Sequence, residues 1–153
     1  MDLSIKKLND WKSKWQNVSN VNIFDYISAN IHPEDVLILS SLFFPKVIEV
    51  NGAIFLEKNY KPETYSLWVE KYGDDILTLE KMINHVHLYD IFAHCTDDID
   101  DSVFENVGKT LQYSWEIYFK YMFPNKEIVV KYTNNENEYG PTLFVFQKAL
   151  TNE

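Results

Sequence analysis

The chain has 153 residues, of which 46% are hydrophobic and 16% aromatic, and its 14 basic against 23 acidic side chains give a formal charge of −9. This length is typical of one domain, and the high aromatic content excludes an intrinsically disordered chain. With only 4 glycines and 5 prolines, collagen-like and linker-dominated sequences are excluded as well.

The charge is unevenly distributed along the chain. All the basic side chains are lysines, and residues 1–16 carry +2 whereas residues 17–153 carry −11. Nucleic-acid binding normally requires a basic patch, because neutralised phosphates supply most of the affinity. We therefore expect no nucleic-acid partner.

The single cysteine, Cys95, cannot form an intramolecular disulfide, which fits a reducing compartment. We expect its thiol to be buried or half-buried. The N-terminus has no apolar stretch of the kind found in secretory signals. The longest apolar run, residues 36–44, is too short to cross a bilayer. The sequence thus predicts a cytoplasmic protein without membrane association.

The first predicted elements are helices. Residues 3–16 predict an amphipathic helix whose apolar face includes Trp11 and Trp15. A loop containing a short helix follows, and another helix is expected to begin at Pro33 and to end before Pro45, since proline suits the first helical turn. All four tryptophans lie on predicted apolar helix faces, so we expect them in the core.

The strongest local signal is a β-hairpin over residues 46–58. Two apolar runs flank Asn51 and Gly52, the dipeptide best able to adopt positive φ at both positions of a type I′ turn. This pattern predicts two antiparallel strands joined by a two-residue loop.

Two further helices are expected after the hairpin. The first begins at Pro62 and ends before Gly73, which suits the position after a helix. The second begins after Asp75, and we favour helix for most of the chain up to Phe92, although the alternation in residues 85–92 also fits a strand.

The C-terminal third predicts a long helix and a second hairpin. Residues 100–102 cap a helix that ends at residues 123–125, and residues 126–133 and 142–149 predict two strands around a polar loop. Because strands and helices do not alternate as βαβ units, we predict an α+β fold. The expected architecture is an antiparallel sheet of about four strands, formed by two hairpins and packed against four to five helices, in a single domain of residues 1–153.

The motif with the clearest enzymatic potential is His85-x-His87, with Asp90 close by. On a strand the two imidazoles would project from one face, whereas on a helix they would diverge by about 200°. A zinc or iron site needs three or more convergent ligands, and no third ligand stands at a diagnostic spacing. We therefore predict no metal and no cofactor, and keep a metal site at His85, His87 and Asp90 as the alternative.

A second motif is a dense group of acids in residues 97–105. A calcium loop is excluded because the central glycine and the closing glutamate are missing. Helix capping explains two or three of these acids. The full group either has a capping-and-solvation origin or forms a surface that faces a protein partner. The predicted partner-binding residues are Asp97, Asp98, Asp100, Asp101 and Glu105.

The polar loop between the last two strands extends this prediction. Tyr139 stands beside Glu136 and Glu138, and aromatic side chains are enriched where proteins meet. We therefore add these three residues to the predicted partner-binding set.

Several short features of the sequence, taken together in their order along the chain, form a layout that resembles a known family. They are Phe44-Pro45, the segment from Glu49 to Gly52, Phe55, Trp68, the segment from Glu80 to Phe92, Trp115 and Phe123-Pro124. In this layout residues 32–148 resemble the small bacterial immunity proteins of polymorphic and contact-dependent growth-inhibition toxin systems. The resemblance implies a cytoplasmic protein without enzymatic activity that binds and occludes a cognate toxin, often a nuclease with a basic surface. It identifies no individual binding residues.

These observations lead to one functional hypothesis and two alternatives. We expect a cytoplasmic, monomeric immunity-type protein that is not an enzyme and that neutralises a basic, nuclease-like toxin domain by occlusion, since an acidic surface accelerates association with a positive one. The alternatives are a metal-dependent enzyme that uses the His-x-His pair, and a regulatory module that self-associates.

Overall fold

A computed structural model of the chain describes residues 5–95, 98–135 and 139–148. The chain divides into two compact units, residues 1–40 and residues 41–153. The assignment of the whole chain to a single domain stays a prediction.

The described residues form helices and antiparallel strands, so the α+β class is confirmed. The helices are α1 (Lys6–Lys12), α2 (Ile23–Asn30), α3 (Pro33–Phe43), α4 (Pro62–Tyr72), α5 (Ile76–Ile83), α6 (Leu88–Ile91) and α7 (Asp101–Met122), with a 3₁₀ turn at Val18–Asn20. The strands are β1 (Val47–Val50), β2 (Ala53–Leu56), β3 (Val86–His87), β4 (Ile128–Asn135) and β5 (Gly140–Gln147).

The first unit contains α1, α2 and most of α3. Asn22 caps α2 through a capping box, in which its side chain accepts from Asp25 N and the Asp25 carboxylate accepts from Asn22 N. Helix α1 ends at Lys12, earlier than predicted, and Trp11 packs edge-on against Tyr26 at 5.3 Å. Trp15 is 51% exposed, so the expectation of a core position was wrong for this tryptophan.

The second unit contains both predicted hairpins. In the first, Asn51 and Gly52 have φ angles of 51° and 84°, as the type I′ turn requires, and Val50 faces Ala53 across the ladder. In the second, β4 pairs with β5 over eight residues, from Ile128 opposite Gln147 to Asn135 opposite Gly140. Both hairpins are therefore confirmed.

The hairpins belong to two separate sheets, which differs from the predicted four-stranded sheet. One sheet has the order β1-β2 and the other β3-β5-β4. The short strand β3 pairs with β5 only at Thr142 and Leu143. Among the described residues, the edge of β5 beyond that point is bound by the side chains of Glu80 on α5 and of Asn84, its C-cap, and by no further strand.

Glu80 and Asn84 form this link between the sheets. Glu80 accepts hydrogen bonds from Ile54 N on β2 and from Gln147 N on β5, at 2.7 and 2.5 Å. Asn84 donates to Ile54 O and Val145 O, at 2.7 and 3.1 Å. Both side chains are buried, and they satisfy edge groups of the strands that would otherwise lack partners.

Asn84 is also the C-cap of α5. The predicted continuation of this helix to Phe92 was wrong, because α5 stops at Ile83 and Asn84 N closes its last turn onto Glu80 O. Val86 and His87 then pair with β5 as a strand, and only the four residues of α6 return to helix. Tertiary pairing with β5 thus outweighs the local helical pattern.

The core of the second unit has two parts. In the larger one, Leu111, Trp115 and Phe119 of α7 pack on β5 residues such as Leu143, as the predicted apolar face of this helix requires. The Trp115 indole donates to Leu42 O at 2.6 Å, which satisfies its buried N–H. The smaller part places Phe55 and its neighbours against α5.

The hydroxyl of Tyr132 on β4 is buried and has no hydrogen-bond partner within the described residues. Burial raises the pKa of this phenol, and the nearby Glu105 carboxylate adds to the effect. Because an unpaired buried hydroxyl costs free energy, Tyr132→Phe should leave the free energy of unfolding unchanged or raise it by about 1 kcal/mol.

Urea unfolding measures this change, with Tyr65→Phe as the control. The Tyr65 hydroxyl accepts from Asn51 Nδ2 at 3.1 Å, so the control should lose a small amount of stability. A loss above about 1 kcal/mol in Tyr132→Phe would mean that its hydroxyl has a partner.

Among the described residues, no helix has both the length and the apolar character needed to cross a membrane. Cys95 is exposed, so the expectation of a buried or half-buried thiol was wrong. The residue lies just after α6, beyond the part of that segment that packs on the core.

Candidate functional site

Three of the predicted acidic residues, Asp100, Asp101 and Glu105, lie at the start of α7. Asp100 is the N-cap, and its carboxylate accepts from Ser102 N at 2.8 Å. Hydrogen bonding to Ser102 holds the pKa of Asp100 below its usual range. The carboxylate of Asp100 therefore stays ionised and stabilises the positive end of the helix dipole.

Asp101 is tied to an aromatic side chain that the sequence prediction did not include. The hydroxyl of Tyr89, on α6, donates to Asp101 Oδ1 at 3.3 Å. The half-buried position of this phenol raises the pKa of Tyr89, and the charge of Asp101 adds to the shift. Tyr89 therefore keeps its proton at neutral pH and remains a hydrogen-bond donor.

Tyr139 joins the same surface through its contacts with rings. Its side chain is 67% exposed and packs edge-on against Tyr89, with 6.1 Å between ring centroids. On another side it meets the His87 ring at 5.7 Å. The structure thus packs Tyr139 against Tyr89, which in turn donates to Asp101 of α7.

Gly140 makes this arrangement possible. Its φ angle is 72°, in the left-handed region, and a Cβ placed there would lie 2.2 Å from Tyr89 Cε2. The Tyr89 ring therefore occupies the space that any other residue at position 140 would fill.

Glu105 lies one turn after Asp101 on α7, on the same face of the helix. Its carboxylate forms an ion pair with Lys109. Exposed ion pairs of this kind contribute little to stability. A cation on a partner can therefore compete with Lys109 for the Glu105 carboxylate. We call Asp100, Asp101, Glu105, Tyr89 and Tyr139 the acidic–aromatic surface.

Of the remaining predicted partner-binding residues, the structure describes only Asp98. Asp98 is exposed, two residues before the N-cap. Asp97, Glu136 and Glu138 lie outside the described residues. Their membership of the surface stays a prediction.

The His-x-His pair lies beside the acidic–aromatic surface. His85 and His87 flank Val86 of β3, and their rings meet edge to face with 5.2 Å between centroids. Together with Asp90 they line an open cleft of about 550 Å³. Within the described residues, no group of three His, Cys, Asp or Glu side chains is arranged to hold a metal ion, so the geometry gives the metal alternative no support.

Two residues of this cleft were missed by the sequence analysis. Asn59 donates from Nδ2 to Ile83 O and His85 O, both at 2.9 Å, and so holds the segment after β2 against the His85 segment. Lys58 precedes Asn59 in the chain. Desolvation of its ammonium group in the cleft lowers the pKa of Lys58, and the negative charge of Asp90 opposes this shift. No sequence motif marks either residue.

Comparisons of the chain with protein families, with curated proteins and with solved structures found no match. The functional conclusion therefore rests on the sequence and on the geometry of the site.

Proposed function

We propose that this chain is a cytoplasmic immunity-type protein that neutralises a basic, nuclease-like toxin domain by binding and occluding it, without enzymatic activity of its own. The acidic–aromatic surface is the proposed contact region. The observation that carries the proposal is the convergence of Asp101, Tyr89 and Tyr139, which are separated in sequence and joined by direct contacts.

The chemistry of this surface suits lysine and arginine side chains. Carboxylates accept charge-assisted hydrogen bonds from ammonium and guanidinium groups. The exposed face of Tyr139 can cover the stem of such a side chain or bind its cation through the ring. Tyrosine is enriched among the residues that contribute most to binding at protein interfaces.

The charge of the whole chain favours the same kind of partner. Residues 17–153 carry −11, and a field of this sign accelerates encounters with a positive surface. The resemblance to immunity proteins suggests that the partner is a toxin. The negative net charge suggests that this toxin is basic.

The proposal is tested with the toxin domain encoded directly upstream of this chain's gene. We expect a 1:1 complex, with the free protein as a monomer. The triple variant Asp100→Asn/Asp101→Asn/Glu105→Gln should raise the dissociation constant by about 30- to 500-fold, equivalent to about 2–4 kcal/mol, because three desolvated charge contacts are lost. Asparagine keeps the N-cap at position 100, and calorimetric titration measures the change.

The matched control is Glu63→Gln/Glu70→Gln/Asp74→Asn, which removes the same charge from exposed positions in and just after α4. It should change the affinity by less than about threefold. An equal loss of affinity in both triple variants would reject the acidic–aromatic surface as the contact region, and an upstream product that does not bind would reject the proposed toxin partner.

A further inference from the structure

The cleft lined by the two histidines has the features of a small-molecule site. Its volume of about 550 Å³ lies within the range of ligand pockets. Apolar side chains from three elements form part of its walls, Trp68 from α4, Met82 from α5 and Ile91 from α6. The cleft thus combines a flat aromatic wall with aliphatic and thioether surfaces.

Lysines outnumber acids in the lining of the cleft, whereas acids outnumber lysines in the chain as a whole. Lys58 and Lys61 line it together with His85 and His87, and Asp90 supplies a carboxylate. Neither lysine makes a side-chain hydrogen bond or an ion pair to any described residue. In a chain of net charge −9, two ammonium groups that form no hydrogen bond or ion pair with the described residues are a local site for an anion, although the charge of Asp90 acts on Lys58.

The polar groups of the cleft are held in place before any ligand arrives. Asn59 fixes the loop that carries Lys58 by its hydrogen bonds to Ile83 O and His85 O. The Thr142 hydroxyl donates to Gly140 O at 3.0 Å and lies 2.9 Å from His87 Nδ1. Such preorganisation reduces the entropy lost on binding.

We propose that this cleft binds a small organic anion with a flat apolar body, such as an aromatic carboxylate. The carboxylate lies between Lys58 and Lys61, and the ring lies against Trp68 and Met82. The cleft shares no residue with the acidic–aromatic surface, so this inference does not rest on the proposed function.

The test titrates three probes and follows the amide signals of the cleft residues by NMR. The probes are 1-naphthoate, the neutral 1-naphthamide and inorganic phosphate, each titrated into the full chain. A ligand of this size in a formed cleft should bind with a dissociation constant below about 1 mM. We expect naphthoate to shift the amide signals of Asn59 and His87, and to bind at least about tenfold more tightly than either naphthamide or phosphate.

Four single variants locate the binding. Lys58→Gln and Lys61→Gln should each weaken naphthoate binding by about 5- to 20-fold, and Asp90→Asn should strengthen it, because it removes a repelling charge. The control Lys46→Gln changes an exposed lysine that does not line the cleft and should leave the affinity unchanged. The triple variant of the acidic–aromatic surface should also bind naphthoate normally.

Several results would overturn the inference. These are no saturable binding of naphthoate, equal binding of naphthoate and naphthamide, phosphate binding as tight as naphthoate, unchanged affinity in both lysine variants, or signal shifts outside the cleft.

Discussion

Glu80→Ala should lower the free energy of unfolding by about 3–5 kcal/mol and the melting temperature by about 10–15 °C. The variant leaves the buried N–H of Ile54 and the partly buried N–H of Gln147 without their partner, and an unsatisfied buried group costs about 1–3 kcal/mol. It also removes the contact through which α5 joins the edges of β2 and β5. Urea unfolding followed by circular dichroism measures the loss.

The control Glu70→Ala removes an exposed glutamate from α4 and should stay within about 0.5 kcal/mol of the wild type. Glu80→Gln provides a sharper comparison. Glu80 accepts from three donors, the two backbone groups and Gln147 Nε2, and a glutamine would turn an NH₂ group toward at least one of them. A stable Glu80→Gln variant would contradict the proposed link.

The pH dependence of stability provides an independent test of Glu80. Burial raises the pKa of its carboxyl above the usual value of 4.5, although hydrogen bonds from Ile54 and Gln147 oppose the shift. As the pH falls from 7 to about 4.5, the folded chain therefore takes up this proton before the unfolded chain does. The stability of the wild type relative to Glu80→Gln should rise over this window, and a fall would contradict the raised pKa.

Asn84→Ala should lower the free energy of unfolding by about 3–4 kcal/mol. Asn84 Oδ1 accepts from Leu56 N at 2.9 Å, and Nδ2 donates to carbonyls of both sheets, at Ile54 and Val145. The residue is 1% exposed, so water does not replace these bonds. Thermal and urea unfolding measure the loss.

Asn84→Asp tests whether the two hydrogen bonds donated by Asn84 Nδ2 stabilise the fold, or whether any polar side chain at this position suffices. At neutral pH a carboxylate oxygen would face the carbonyls of Ile54 and Val145, so this variant should be at least as unstable as Asn84→Ala. The exposed Asn30, which donates to Tyr26 O, is the control, and Asn30→Ala should cost less than about 1 kcal/mol. An Asn84→Asp variant of wild-type stability would show that the two donated bonds contribute nothing.

The sequence predicted those parts of the fold that depend on local patterns. The turn at Asn51 and Gly52, the start of α4 at Pro62 and the N-cap at Asp100 each follow from backbone preferences of a few residues. The apolar face of α7 around Trp115 is set by helical periodicity alone.

The division into two sheets could not be predicted in the same way. It depends on which strand edges lie next to α5, and Glu80 and Asn84 show their role only when the peptide groups of β2 and β5 are in place. Local patterns also favoured helix over residues 86–87, where pairing with Thr142 and Leu143 produces a strand.

The candidate site was predictable only in part. The acids of α7 were visible as a dense charge group, but Tyr89 was not, because its role depends on a hydroxyl that reaches Asp101 and on a glycine at position 140 that leaves room for its ring. Lys58 and Asn59 belong to a loop without a motif, and only folding brings them to the His85 segment.

The most direct test of the proposed function is the salt dependence of association with the upstream toxin domain. Stopped-flow rate constants would be compared between about 50 and 500 mM NaCl for the wild type and the two triple variants. The account predicts a steep fall in the wild type and in the α4 control, and a much flatter dependence when Asp100, Asp101 and Glu105 are neutralised. The same steep dependence in all three proteins would contradict the assignment of binding to the acidic–aromatic surface.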